Sequence, residues 1–143
     1  MKFVKYFYDK KYSVVTLKHH DKMFVGYTIV HPDENPEYLS EIFGCSIAES
    51  RAEIKFLKHK LFLIKEEISY IKKFLNDCKC YKNWNEDDNM GKICRKQLYL
   101  REKKKKQLIA DIQKYEDFIK QKIEDREKQI QSYKNKEEKD KSN

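Results

Sequence analysis

The side chains best equipped for chemistry in this chain are a few arginines and a few aromatic rings. Only four of the thirty-two basic residues are arginines: Arg51, Arg95, Arg101 and Arg126. Where lysine dominates so strongly, a retained arginine points to a need for its planar, two-pronged donor. Arg51, Arg95 and Arg101 have no acidic residue three or four positions away, so a local helical ion pair does not account for them. Their forks suit phosphate oxygens or a base edge. The alternative is solvent, or an acid on a neighbouring helix. Arg126 lies far toward a polar tail and is set aside. Phe74 and Trp84 flank a polar interruption of the chain. Their faces suit a purine, with Asn85 bonding its edge; the plainer alternative is a hydrophobic plug. His31 precedes Pro32 at the end of an apolar run, a loop position of the kind that carries function. Its plainer alternative is a turn histidine bonding Asp33.

Other chemistries lack their parts. The sequence has no nucleophile elbow, P-loop, dinucleotide-binding glycine fingerprint or His-Glu-x-x-His helix. Its acids sit in lysine-rich surroundings that read as surface ion pairs. The expectation is a protein that is not an enzyme and uses no cofactor. Cys78-Lys79-Cys80, with Cys94 and His59, lacks the second paired motif of a zinc site. No metal is expected. Met1-Lys2-Phe3 leads into an alternating strand rather than an apolar leader, and no apolar run approaches a membrane span. A cytoplasmic protein is expected, with four free thiols.

These candidates must be positioned by surrounding elements. Charged residues make up 39% of the 143 and mean hydropathy is −0.96, which argues against a large globular core. Long solvent-washed helices fit better. Residues 2–8, 12–18 and 23–30 are rich in Phe, Val and Tyr and separated by short polar turns, so they read as an antiparallel β-meander. Gly26 inside the third run marks a bulge or a close backbone approach. Pro32 and Asn35-Pro36 break the sheet, and a short helix through Leu39 and Ile42 is predicted to stop at Gly44. Ser46-Ile47-Ala48-Glu49 has the form of a capping box and should open a long helix to about residue 76. Within it Ile54, Leu57, Leu61, Ile64, Ile68, Ile71 and Leu75 recur at alternating intervals of three and four, a seam facing a partner helix. Phe56, Phe62 and Leu63 lie off that seam and are expected to meet the sheet. A connection over 77–89 leads to a second long helix over 90–133, with Leu108, Ile112, Tyr115, Ile119, Ile123 and Ile130. Its lysine run 103–106 adds no apolar seam residue and suggests a stutter. Residues 134–143 read as a frayed polar tail. The predicted class is α+β: one domain with a small N-terminal antiparallel meander, then two long helices forming a hairpin or coiled coil.

Five short segments carry a resemblance. Tyr12-Ser13-Val14, Phe24-Val25-Gly26, His31-Pro32-Asp33-Glu34, Gly44-Cys45 and Ala48 with Arg51-Ala52 follow an order seen in small phage proteins of Gram-positive hosts. Among these the chain most resembles the Thoeris anti-defence proteins of the first type, over about its first fifty-five residues. That resemblance implies a non-enzymatic counter-defence protein that sequesters a cyclic nucleotide signal, a cyclic ADP-ribose isomer or a cyclic oligonucleotide, at an interface of a homo-oligomer. It matches Phe74, Trp84, Asn85, Arg95 and Arg101 by residue type. With His31 and Arg51, these form the candidate ligand-binding set. The formal charge of +8 supports a different reading. A basic coiled coil would then act as an anti-CRISPR or nucleic-acid-binding inhibitor.

Overall fold

The computed structural model describes residues 2–9, 12–29, 39–80 and 89–142. The class is α+β. Strands β1 (Lys2–Tyr8), β2 (Tyr12–His19) and β3 (Lys22–Ile29) form an antiparallel sheet in the order β1-β2-β3, followed by helices α1 (Leu39–Cys78) and α2 (Asn89–Ser142). The chain separates into two compact units, Met1–Phe56 with Gln113–Asn143, and Leu57–Ile112.

In the first unit the pairing is regular, with Val4 opposite Leu17, Val15 opposite Gly26 and Leu17 opposite Phe24. Alternation then puts Val4, Val15, Leu17 and Phe24 on one face. Val15, Leu17, Ala48, Ala52 and Phe56 form the buried core, with Val4 and Phe24 packed against it. Ala48 and Ala52, one turn apart on α1, are small so that the helix can come close. Gly26 completes that approach: a Cβ there would stand 1.9 Å from the Ala48 carbonyl oxygen and 2.6 Å from the Ala52 nitrogen. The expected close approach is therefore present, and the pairing runs through Gly26 without a bulge.

Three expectations for α1 are corrected. The short helix and the long one are a single helix, which passes through Gly44 without a break. Gly44 is small because it rests on the sheet. Thr28 Oγ1 donates to its carbonyl at 2.9 Å, and a Cβ there would meet Ser13 Oγ at 2.3 Å. Ser46 lies inside the helix, where its carbonyl accepts from Ser50 Oγ. Of the three off-seam residues only Phe56 reaches the core, while Phe62 and Leu63 are exposed.

In the second unit α1 and α2 form a helical hairpin. Leu57, Ile64 and Ile68 of α1 and Cys94, Leu108 and Ile112 of α2 are buried. Along α2 a series of half-buried or buried residues, Cys94, Leu98, Arg101, Lys105, Leu108 and Ile112, again recurs at alternating intervals of four and three, with Gln97, Glu102 and Asp111 half-buried beside it. The stutter expected at the lysine run is corrected: the seam continues through it without a lapse. Arg101 and Lys105 occupy its positions, with apolar stems inside and charged ends outside. The described helix also continues to Ser142, so the polar tail is exposed but helical. Like charges there are interleaved with acids and with i,i+4 pairs such as Gln131–Asn135.

Candidate functional site

Arg51 belongs to the first unit. It and Lys55 lie one turn apart on α1, and each donates to a carbonyl of β3. Arg51 Nη1 reaches Tyr27 O at 2.8 Å and Lys55 Nζ reaches Val25 O at 2.6 Å. β3 is an edge strand, so these two cations satisfy carbonyls that an edge would otherwise present to another chain. On its other flank α1 carries acids. Glu53 accepts from Lys2 Nζ at 2.6 Å, and Glu49 accepts a hydrogen bond from the Tyr6 hydroxyl. Acids toward β1 and bases toward β3 fix the roll of α1 on the sheet. Desolvation by burial, then the Glu49 charge and hydrogen bond, hold the Tyr6 hydroxyl above its usual range.

Phe74, Arg95 and Arg101 belong to the second unit. Arg101 faces α1, where its Nε donates to Glu67 at 2.8 Å and its Nη1 to Gln97. The acid that answers Arg101 lies thirty-four residues away on the other helix. That is the alternative raised for this residue from the sequence. Phe74 is partly exposed and precedes the seam residue Leu75, while Arg95 is exposed and follows the seam residue Cys94. In an antiparallel pair these positions fall on opposite flanks of the seam. One copy of the hairpin therefore does not gather Phe74, Arg95 and Arg101 around one hollow. His31, Trp84 and Asn85 lie outside the described residues. Cys45, Cys78, Cys80 and Cys94 are free thiols, and Cys94 is buried in the seam. Among the described residues no group of His, Cys, Asp or Glu is placed to hold a metal ion. Among them, too, no helix is long and apolar enough to cross a membrane.

One feature of the hairpin was not singled out from the sequence. Lys58, Lys65, Lys72 and Lys79 recur every seven residues, the first three directly after the seam residues Leu57, Ile64 and Ile71 and the last directly after Cys78, where α1 ends. All four are exposed. A seven-residue repeat keeps them on one flank, spaced by about 10 Å. Arg95 takes the equivalent position on α2 and joins the same flank. Glu102, also on that flank, approaches Lys72 at 3.7 Å. The segment Leu57–Ile112 as a whole contains fifteen Lys and Arg against eight Asp and Glu, a net +7 of the chain's +8. The readable signal was the register of these lysines against the seam, not their number.

Comparison with protein-family models, with curated proteins and with solved structures finds no match to this chain.

Proposed function

We propose that this chain is a non-catalytic binding protein whose helical hairpin lays its lysine-bearing flank along the phosphate backbone of a nucleic acid. The observation that carries this reading is the segregation of charge. Nearly all of the net positive charge lies between Leu57 and Ile112, and part of it forms the ridge Lys58, Lys65, Lys72, Lys79 with Arg95. Each lysine that neutralises a phosphate releases a condensed counterion, so affinity falls steeply with salt. No base is read by such a ridge. It acts as an inhibitor by occupying nucleic acid that another protein needs. Fluorescence anisotropy with a labelled duplex DNA and a labelled RNA, across a salt series, tests it. The triple variant Lys58→Gln, Lys65→Gln, Lys72→Gln should bind more weakly and lower the slope of log K against log salt by about 2–3. Absence of binding to either polymer at low salt would remove this reading.

Sequestration of a cyclic nucleotide between copies of the chain is the second reading. It is favoured by the residue types Phe74, Trp84, Asn85, Arg95 and Arg101, all carried by the one segment Leu57–Ile112. Since Phe74 and Arg95 flank opposite sides of the seam, this reading requires two copies to complete a pocket. Calorimetry with cyclic ADP-ribose isomers and cyclic trinucleotides separates the two. A salt-insensitive affinity that is lost on Arg101→Ala belongs to the pocket, and a steep salt response belongs to the ridge.

A further inference from the structure

The face of the sheet turned away from α1 has no counterpart in either functional reading. Alternation along the strands puts Phe3, Lys5 and Phe7 of β1, Tyr12, Val14, Thr16 and Lys18 of β2, and Met23, Val25, Tyr27 and Ile29 of β3 on that side. Eight of these eleven are apolar or aromatic, and none is acidic. Phe3, Phe7, Tyr12, Met23, Tyr27 and Ile29 are each between 44% and 63% exposed. At roughly 100 Å² apiece, six such side chains present about 600 Å² to solvent. That is at the upper end of the largest apolar patch found on an ordinary monomer.

We propose that this face is a homodimer interface, on which a second copy of the chain packs its own sheet face to face. Two facing patches of that size bury about 1,200 Å², the lower bound of a stable, specific interface. The half-buried Val14, Thr16 and Val25 add to it. A sheet face also brings its own self-complementarity, because two copies related by a two-fold axis meet with identical surfaces. The product is an aligned sandwich of two three-stranded sheets with α1 of each copy on the outside. The only charges on the face, Lys5 and Lys18, stand on an edge strand and one residue from the end of β2, where their ammonium groups reach the rim. Pairing through the β3 edge is a poorer route to a dimer, since Arg51 and Lys55 already occupy its Tyr27 and Val25 carbonyls.

Sedimentation equilibrium of the full chain tests the proposal. The expected species is twice the 17.5 kDa protomer. Phe7 and Tyr27 both lie opposite Val14 and form one row across the face. Phe7→Lys or Tyr27→Lys should raise the dimer dissociation constant more than about a hundredfold, because a two-fold axis makes each substitution count twice. Tyr70→Lys, on the hairpin, should leave it unchanged. A wild-type chain that stays monomeric up to about 100 µM overturns the proposal. So does a dimer that survives both face variants, or one that Tyr70→Lys dissolves. Should the variants fail to fold, peroxide oxidation of Met23 in the wild-type chain decides. Met23 should be protected in concentrated solution and oxidised in dilute solution, whereas equal oxidation in both overturns the proposal. Nucleic-acid binding is read separately by anisotropy, so the two proposals fail independently.

Discussion

The two units of this molecule solve the same problem, seating a helix on a partner, by opposite means. In the sheet unit the contact is between backbones. Gly26 removes a side chain so that Ala48 and Ala52 of α1 can lie on β3, and Gly44 does the same over Ser13 and Thr28. At the flanks Lys2 pairs with Glu53, Tyr6 with Glu49, and Arg51 and Lys55 with strand carbonyls. In the hairpin unit the contact is between side chains in a three-four seam, and charge is tolerated even inside it, at Arg101 and Lys105. The lesson is that side-chain size is constrained in the sheet unit, whereas charge is tolerated in the seam of the hairpin. The sheet unit should fail when an atom is added. The hairpin should barely respond to a change of charge, which leaves its surface free to carry the excess of lysine.

The largest effect expected from this contrast is at Gly26. A methyl group there would collide with backbone atoms of α1 that no rotamer change can move. Gly26→Ala should cost about 3 kcal/mol or more, and the helix must lift from the sheet. Gly44→Ala meets the Ser13 side chain rather than backbone, so its cost should be smaller, about 1–2 kcal/mol. Urea denaturation of the two variants checks the order. If Gly44→Ala is the more damaging, the close approach at Gly26 is not what seats the helix.

A smaller effect, of opposite sign, is expected in the hairpin. Lys105 is half-buried at a seam position between Arg101 and Leu108. Lys105→Leu should stabilise the hairpin by about 1 kcal/mol, since an apolar end replaces an ammonium group that must reach past the seam. Arg101→Leu should gain less, because it strands Glu67 and Gln97 without their donor. Thermal melts at matched salt rank the two. A destabilising Lys105→Leu would mean that this lysine is held by a specific partner, and that the hairpin is as fastidious about charge as the sheet unit is about size.

What was legible in the sequence follows the range of each interaction. The strands, their turns and the α1 seam depend on neighbours a few residues apart, and periodicity reported them. Gly26 was readable as a close approach, because a glycine inside an apolar strand has few other uses. Gly44 was not. A glycine after an apolar turn looks locally like a helix stop, and only the presence of Ser13 and Thr28 beneath it makes it a contact residue instead. The same limit applies to the arginines. Arg51 and Arg101 were marked correctly as lacking a local acid, yet their partners are a carbonyl twenty-four residues away and a carboxylate thirty-four residues away. Pairing of that range is set by topology, which residue type alone does not specify. Arg101 and Lys105 were missed as seam residues for a related reason: a charged end hides an apolar stem when residues are scored by type.

The finest test of the contrast is a titration at the flank of the sheet unit. Tyr6 donates to Glu49, and partial desolvation and that carboxylate together raise its pKa above 10.0. Ionising the phenol would remove the donor and place a second negative charge beside Glu49. The folded state therefore holds this proton more tightly than the unfolded state does. Stability from this source is complete below the unfolded pKa of about 10 and declines as pH rises past it, because the unfolded chain then releases a proton that the folded chain retains. Tyr6→Phe should remove that decline, and Glu49→Gln should lessen it, when denaturation midpoints are compared between neutral pH and about pH 10.5. In absorbance titrations of phenolate, the difference between wild type and Tyr6→Phe should show the Tyr6 hydroxyl ionising above the ordinary tyrosine range. If Tyr6→Phe leaves the alkaline decline unchanged, the flank contacts of α1 with β1 contribute nothing specific, and the roll of the helix rests on the glycine contacts alone.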